Sequence, residues 1–351
     1  MSIQLNSKKN IRLSDIAQAL NLSTSTVSRA LAGHPAINED TRARVREVAA
    51  SLGYEPQLKA TARHGKTPTM TVGVLLSVNE LHNRYMTMLL EQIHRDMLEF
   101  GYHVMVLLDP INTVNDLDHM AVYRPLIENH LDGIILLSVT TDSVILPELQ
   151  RMSFPVVLAV RSVDNAEVDM VEADNERGGA EIVKHFYELG HRRIGLVMGP
   201  ENATSSRDRA RGALNYLRQK GVPEEDTPVM WNAFTFDSGY SCTAQLLDRP
   251  NPVTAIMAAS DSIAFGVLEA ARSKGVDVPG QLSVAGFDDI PLSGSRLIGL
   301  TTIQNRVEGL SRNACLCIID RIQNRNKNKP SRYVLPVRLV KRETTAVVES
   351  R

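Results

Sequence analysis

The chain has 351 residues, enough for two or three domains, and its 43% hydrophobic and 23% charged residues fit an ordinary globular protein. It has no run of 18 apolar residues and no signal-peptide pattern at its start, so we expect a cytoplasmic protein that does not enter membranes. The net charge of −1 is uneven: residues 1–66 carry ten basic and five acidic side chains, which leaves −6 on the rest. This balance favours a polyanionic partner for the first segment alone, although a solvated charged surface would look similar.

Residues 10–57 have the spacing of three short helices. Apolar residues recur at helical spacing in each one, and Ser23 and Asn38 stand where a side chain can accept a backbone N–H at the start of the second and third helices. The turn between the first two helices is about four residues long, which is typical of a helix-turn-helix. The inward positions are Leu13, Ile16, Ala17, Leu20, Val27, Ala30, Leu31, Val45, Val48, Ala49 and Leu52.

The outer face of the second helix carries short hydroxyl side chains. Thr24, Ser25 and Ser28 point away from the apolar stripe, and Arg29 stands beside them. Hydroxyls at a helix N-terminus can approach base edges and phosphates, and an arginine can donate two hydrogen bonds to guanine. A solvated outer face of any three-helix module would have the same composition, so the pattern alone leaves both readings open.

The segment SDIAQALNLSTSTVSRALAGHPAINEDTRARVREVAASLGYEP resembles the headpiece of LacI/GalR-type bacterial repressors. The shared motifs are D-[IV]-A, [LV]-S-x-x-T-V-S-R-x-L, T-R-x-x-V and [LG]-Y-x-P, at Asp15–Ala17, Leu22–Leu31, Thr41–Val45 and Tyr54–Pro56. The resemblance implies that the two variable positions, Thr24 and Ser25, read bases. The DNA-contacting positions that it implies are Ser23, Thr24, Ser25, Thr26, Ser28, Arg29, Thr41 and Tyr54.

Residues 58–69 are polar, contain Gly65 and Pro68, and are predicted to form a linker or hinge. In the resembling family this region forms a hinge helix, N-x-x-A-R-x-L, whose leucine wedges into the DNA minor groove. Arg63 stands at the leucine position here, so we expect no strong kink. Two readings stay open: Arg63 can enter a narrow minor groove, or the linker is simply less ordered. The resemblance further implies a homodimer on a palindromic double-stranded DNA operator.

From residue 70 the sequence alternates apolar strands with amphipathic helices, which predicts parallel sheets covered by helices. Two such series predict a body of two doubly wound α/β lobes, after the all-α headpiece. The body is expected at residues 70–346, with one lobe at about 70–160 and 290–323 and the other at about 161–289 and 324–346. The predicted strands are residues 70–76, 103–108, 132–138, 155–160, 193–199, 255–260, 282–289, 301–305 and 332–345.

Ligands of such folds bind where parallel strands end, and polar residues follow several predicted strands here, among them Arg161, Asp261 and Asp288. These residues do not form a catalytic set. The sequence has no G-x-G-x-x-G and no P-loop, so we expect neither catalysis nor a cofactor. Cys315 and Cys317 have no histidine or further cysteine nearby, so the three cysteines are expected to be buried thiols and not metal ligands or disulfides.

The family resemblance extends over the body, in segments such as RDRARGAL, ASDSIAFGVLEAARSKGVDVPGQLSVAGFDDI and LTTIQ. The family's core is similar to periplasmic sugar-binding proteins, which implies an effector site between the lobes. Two or three arginines with an aspartate favour a sugar, a sugar acid or a sugar phosphate as effector. The effector-binding positions that the resemblance implies are Tyr85, Arg161, Arg209, Phe234, Asp261, Asp288 and Asn305.

The expected function is therefore a ligand-responsive transcriptional repressor without a metal or cofactor. Two alternatives share parts of the sequence. A solute-binding transport protein would share the body, but the basic first segment and the missing signal peptide disfavour it. A sugar-processing enzyme on the same fold is disfavoured because no catalytic constellation is visible.

Overall fold

The protein is described by a computed structural model, which covers residues 13–31, 37–52, 68–109, 117–164, 166–323 and 329–348. The chain forms two compact units, residues 1–59 and residues 60–351. None of the helices in these described ranges is long and apolar enough to cross a membrane.

The first unit contains three helices, α1 (Leu13–Leu20), α2 (Thr24–Leu31) and α3 (Glu39–Leu52). Their apolar stripes meet in a small core, in which Ile16, Ala17, Val27, Ala30, Val45 and Ala49 are buried. Leu52 was expected to point inward but is 38% exposed, because it is the last residue of α3. The two predicted helix caps are confirmed, since the backbone N–H of Thr26 donates to Ser23 Oγ (3.0 Å) and that of Thr41 donates to Asn38 Oδ1 (2.9 Å). The headpiece is thus the helix-turn-helix that the spacing predicts.

The second unit contains two sheets of six strands each. In the first sheet the order is β11-β5-β4-β3-β1-β2 and every pairing is parallel. In the second sheet the order is β12-β10-β9-β8-β6-β7, and only β12 runs antiparallel to its neighbour. The strands are β1 (Thr71–Ser77), β2 (His103–Asp109), β3 (Gly133–Leu136), β4 (Val156–Ala159), β5 (Asp169–Ala173), β6 (Ile194–Met198), β7 (Val229–Trp231), β8 (Ala255–Ala258), β9 (Ser283–Asp288), β10 (Thr301–Gln304), β11 (Arg332–Leu335) and β12 (Arg338–Val340).

Helices cover both faces of each sheet, and each sheet with its helices forms one lobe. Two apolar clusters fill the two faces of the first sheet, and a third, larger cluster surrounds the second sheet. All three cysteines lie free in these clusters, as expected. The helices are α4 (Arg84–Glu99), α5 (Leu117–His130), α6 (Ile145–Arg151), α7 (Asn175–Glu188), α8 (Thr204–Gln219), α9 (Phe236–Leu247), α10 (Asp261–Ser273) and α11 (Val307–Ile322).

The lobe boundaries differ from the expected ones. Strand β5 pairs with β4, so residues 161–173 belong to the first lobe and not to the second. Strand β10 pairs with β9, so residues 301–304 belong to the second lobe, although α11 after them packs on the first as expected. The chain therefore crosses between the lobes three times, which no local periodicity reveals.

The last predicted strand is in fact two. Residues 332–345 were expected to form one strand, but β11 joins the first sheet and β12 joins the second. Pro336 lies between them, and a proline lacks the N–H that a continuous strand would need. The short elements β5, β7, α6 and α9 were not predicted either, because a run of three to five residues or a weakly periodic helix gives little sequence signal.

Helices α7 and α8 touch backbone to backbone through two glycines. A Cβ on Gly179 would overlap the Arg209 carbonyl, and a Cβ on Gly212 would overlap the Glu176 carbonyl. The close approach fixes the distance of α8 from the sheet, and with it the position of Arg209, one turn before Gly212. The glycine of the R-x-x-G motif thus has a packing role.

Gly212→Ala is therefore expected to destabilise the fold. Backbone atoms cannot rotate away from the added methyl group, so the cost should lie at the upper end of the roughly 1–3 kcal/mol that overpacking causes. The matched control is Gly309→Ala in α11, where the nearest heavy atom to a Cβ is 3.6 Å away, and a helical Gly→Ala change without a clash stabilises. Urea unfolding of both variants measures the difference, and equal stability of the two would contradict the packing role.

Candidate functional site

The exposed end of α2 presents a polar face. Thr24, Ser25 and Arg29 are exposed, as the sequence predicts for side chains that contact DNA. Ser23 is committed to the helix cap, because its Oγ accepts the Thr26 N–H and lies 2.8 Å from both Ser25 Oγ and Thr26 Oγ1. The free contact groups on this face are thus the side chains of Thr24 and Arg29, with Ser25 shared between the cap and solvent.

Among the described residues, the structure does not show an exposed side chain at the other expected DNA contacts. Thr41 lies half-buried in the first turn of α3, where its backbone N–H is bound to Asn38. The side chain of Ser28, and all of Tyr54 and Arg63, lie outside the described residues, so their contacts with DNA remain predictions.

A second polar site lies between the lobes, where the strands of both sheets end. The backbone is strained there on both sides: Val160, just after β4, has φ 74°, and Asp288, at the end of β9, has φ 116°. A β-branched or acidic residue at such angles costs free energy that the surrounding fold must offset, and strain of this kind is concentrated at binding sites. The two strained residues stand next to the expected effector contacts.

Arg209 is fully packed in the second lobe. Its Nε donates to Asn175 Oδ1 (2.8 Å), one Nη donates to the Ala259 carbonyl, and its guanidinium carbon lies 3.6 Å from the centre of the Phe287 ring. The other Nη is 3.9 Å from Asp288 Oδ1. Burial raises the pKa of Asp288 to about 8, while the positive charge of Arg209 acts in the opposite direction.

Arg161 is equally buried in the first lobe, and its counter-charge is Glu80. The Arg161 guanidinium forms an ion pair with the Glu80 carboxylate and donates to the Ser138 carbonyl (3.2 Å). Glu80 was not predicted as a site residue. The signal that could have found it is an acidic residue just after β1, since β1 ends at the same edge of the sheet as β4.

Phe234 closes the gap between the two arginines. Its ring lies on Gly199, where a Cβ would overlap it, and the Arg161 guanidinium carbon is 5.4 Å from the ring centre. An aromatic face beside a cation is a surface on which an apolar sugar face can stack. Tyr85 lines the opposite wall; its hydroxyl is buried without a hydrogen bond of normal geometry, and burial raises its pKa.

The structure thus brings five of the seven expected effector contacts around one cavity of about 20 Å³, room for roughly one water molecule. Ligand sites for small molecules are usually several hundred Å³ in volume. A sugar-sized effector therefore requires the lobes to separate. The lining residues are Asn83, Tyr85, Met86, Val160, Arg161, Ser205, Arg209, Phe234 and Asp288.

Asn305 and Asp261 do not line this cavity. The backbone N–H of Asn305 donates to the Asp288 carbonyl (3.4 Å), and its side chain lies close enough to the Asp288 carboxyl and the Tyr85 hydroxyl to lower the pKa of each. Asn305 thus supports two residues that line the cavity. The Asp261 carboxylate accepts hydrogen bonds from the Ile290 N–H (2.9 Å), Ser293 Oγ (2.6 Å) and Thr302 Oγ1 (2.5 Å). These three bonds brace the ends of β9 and β10, and burial raises the pKa of Asp261 to about 6.

The lobes touch directly at the mouth of the cavity. Thr204 Oγ1 donates to the Ser162 carbonyl (2.9 Å) and accepts the Ser162 N–H (3.0 Å). Asn202 bonds Asp142 (3.2 Å) with its side chain and the Thr141 N–H (3.1 Å) with its carbonyl. All four bonds join loops of different lobes, so opening of the cavity must break them.

Hydroxyl, amide, guanidinium and carboxylate groups around an aromatic ring can bind a polar small molecule. Across the described ranges, no group of three or more histidine, cysteine, aspartate or glutamate side chains could hold a metal ion. The arrangement is that of a binding site with paired charges.

Two family models match the chain. Residues 12–57 match "Bacterial regulatory proteins, lacI family", and residues 183–345 match "Periplasmic binding protein-like domain". The HTH-type transcriptional repressor CytR of Escherichia coli (strain K12) is 30% identical over 323 residues, which cover 92% of this chain and 93% of that repressor.

Solved structures agree over almost the whole chain. A complex of the transcriptional regulator CelR with cellobiose has a TM-score of 0.73 at 27% identity and covers 95% of this chain and 100% of its own. The lac repressor dimer bound to operator and the anti-inducer ONPF has a TM-score of 0.69 at 26% identity and covers 96% of this chain and 100% of its own.

Proposed function

This chain belongs to the LacI family of bacterial regulatory proteins and is a ligand-responsive DNA-binding regulator, and we propose that it is a repressor that acts as a homodimer on a palindromic operator. The observation that carries the proposal is that one chain combines a helix-turn-helix with an exposed Thr24–Arg29 face and a two-lobed body with a polar interlobe cavity. We place its work in the cytoplasm, where its DNA target lies.

The effector is proposed to be a sugar-like molecule. Asp288 and Arg209 supply an acceptor and donors from one lobe, and Tyr85 and Arg161 face them from the other. A ligand that contacts both lobes favours the arrangement in which both sets of contacts can form. It can change DNA affinity only if it binds the repressing and non-repressing arrangements unequally.

An exposed apolar surface on the second lobe supports the homodimer. Leu297 is 98% exposed and lines a groove with Phe265, Leu268 and Ile298, at whose edge stand the charged Glu269, Arg272 and Asp277; Leu292, nearby in sequence, is 52% exposed. Exposed leucines beside an apolar groove with a charged rim are typical of an interaction site, and a twofold dimer would bury them in both copies at once. A palindromic operator has the same symmetry.

A transport-type binding protein and an enzyme are the competing functions. The body alone would fit a transport protein, but a helix-turn-helix has no use in solute capture. The relatives named above are transcriptional regulators, and this chain matches them over at least 93% of their length. An enzyme would need a reactive group free in the cavity, whereas both lining arginines and both of their carboxylates are already paired with each other.

Arg29→Ala should abolish sequence-specific DNA binding. A bidentate arginine contact with guanine contributes about 1–3 kcal/mol of discrimination, so the affinity for the operator should fall by roughly 5- to 150-fold for each half-site contact that is lost. The operator is first selected from a random palindromic library with the native protein and then titrated by mobility shift. The charge-matched control is Arg44→Ala on the exposed side of α3, and unchanged operator affinity of Arg29→Ala would refute the assignment of α2.

Asp288→Asn should leave DNA binding intact and remove the effector response. The substitution keeps the size of the side chain but removes the carboxylate, and a charged acceptor contributes roughly 1.5–3 kcal/mol to a hydrogen bond. The comparison is made at pH 9, because burial raises the pKa of Asp288 to about 8 and the carboxyl is charged only above it. The measurement is the shift in operator affinity on addition of any sugar that raises the melting temperature of the native protein. The control is Asp289→Asn, whose carboxylate bonds Arg342 (2.6 Å) and does not line the cavity. A retained response in Asp288→Asn would place the effector elsewhere.

Leu297→Asp should convert the dimer to monomers. The change removes roughly 1.5–3 kcal/mol of apolar burial at each of two symmetry-related sites, which weakens association about a hundredfold or more. Sedimentation over a range of protein concentrations measures it. Asn215→Asp adds the same charge to the exposed surface of α8 and should change nothing, and an unaffected dimer in Leu297→Asp would exclude this surface as the interface.

A further inference from the structure

The two arginines of the cavity differ in what they can offer a ligand. Arg209 lies 3.9 Å from its carboxylate, whereas Arg161 forms a close ion pair with Glu80. The Glu80 carboxylate is held from its other side by Asn83 Nδ2 (3.4 Å). Both partners of the Arg161–Glu80 pair are buried, and both belong to the first lobe, so separation of the lobes leaves the pair intact.

Glu80 occupies the place that an anionic ligand would take on Arg161. One terminal nitrogen of the guanidinium binds Glu80 and the other donates to the Ser138 carbonyl, so the two-donor fork that suits carboxylates and phosphates is engaged. The Nε–H of Arg161 is buried without a partner. What remains for a ligand is single N–H donors, which match a hydroxyl oxygen.

One buried polar atom on the cavity wall points to the same kind of ligand. The Tyr85 hydroxyl is buried without a hydrogen bond of normal geometry, although the Asn305 side chain is close enough to lower its pKa. Two further buried atoms without a partner, Ser138 Oγ and Asn175 Nδ2, belong to residues that bond Arg161 and Arg209 and do not line the cavity. An uncharged hydroxyl on the wall is suited to a hydroxyl group of a ligand.

A negative charge in the cavity would meet two carboxylates as well as two arginines. The negative charge of Glu80 makes a small contribution to the raised pKa of Asp288. An extra anion buried among already paired charges has no counter-charge of its own, and a buried unpaired charge is strongly unfavourable.

We propose that Glu80 is a specificity-determining residue that makes the cavity select an uncharged polyhydroxylated ligand over its carboxylated or phosphorylated counterparts. The inference rests on the proposed function and narrows it, since sugar acids and sugar phosphates are set aside. It assigns Glu80 a role in selection through Arg161, which it keeps neutralised.

The test uses the full-length protein and inorganic phosphate as probe, in thermal unfolding at pH 9, above the pKa of about 8 to which burial raises Asp288. The native protein should show no saturable rise of the melting temperature with phosphate. Glu80→Gln removes the charge that neutralises Arg161 and should show a saturable rise of roughly 2–5 °C at ten times the dissociation constant. Glu91→Gln is the matched control, because it frees Arg84 from a comparable ion pair (3.1 Å) on the exposed surface of α4.

Three results of the phosphate test would overturn the proposal. An equal saturable rise in the native protein and in Glu80→Gln would overturn the proposal, because Arg161 would then be free already. A Glu80→Gln protein that phosphate neither binds nor rescues from unfolding would also overturn it. Glu80→Gln/Arg161→Gln removes both charges and should bind no phosphate; a rise in this double variant would show that the anion binds elsewhere and would likewise refute the proposal.

A second arm uses matched sugars with the native protein: ribose against ribose 5-phosphate, and glucose against glucuronate. A melting temperature raised at least as much by the charged member of a pair overturns the proposal, and a preference of tenfold or more for the neutral member supports it. If no sugar of either kind binds, the proposed sugar effector fails, while the phosphate arm still decides the role of Glu80.

Discussion

The structure of the body depends on how it neutralises two arginines that it buries where its sheets end. A guanidinium taken out of water needs both a counter-charge and hydrogen-bond acceptors, and neither lobe could close its core around an arginine without them. Arg161 finds Glu80 and the Ser138 carbonyl, and Arg209 finds Asp288, Asn175 and the Ala259 carbonyl. Each lobe therefore satisfies its own arginine, so the lobes can move apart without exposing an unpaired charge.

Backbone geometry brings these charges to the cavity. The Gly179–Gly212 contact lets α8 approach α7 closely enough for Arg209 to reach the end of β9, and Gly199 leaves room for the Phe234 ring beside Arg161. The strained backbone angles of Val160 and Asp288 contribute to the site as well, because each places a residue where regular strand geometry would not. The site is thus built from close packing and strain as much as from the polar side chains themselves.

The headpiece uses a simpler arrangement. Its small core is closed by six buried apolar side chains, and two polar caps start its second and third helices. Because Ser23 is used as a cap, we propose that direct base reading falls on Thr24, Ser25 and Arg29, two of which are short. A helix with such short side chains suits recognition that combines one arginine with water-mediated contacts and DNA shape.

The sequence by itself determined the three helices of the headpiece, the caps of the second and third, and the long buried strands, while the grouping of Tyr85, Arg161, Arg209, Phe234 and Asp288 in one site was implied by the family resemblance of its motifs. Apolar periodicity, cap chemistry and motif spacing are local properties, so they can be read along the chain. Only the tertiary structure decided that β5 and β11 join one sheet while β10 and β12 join the other, that Asp261 braces the strand ends, and that Glu80 neutralises Arg161. Those outcomes depend on which distant groups meet: Glu80 and Arg161 are 81 positions apart, and a buried charge selects its partner by proximity in the fold, which local sequence patterns do not record.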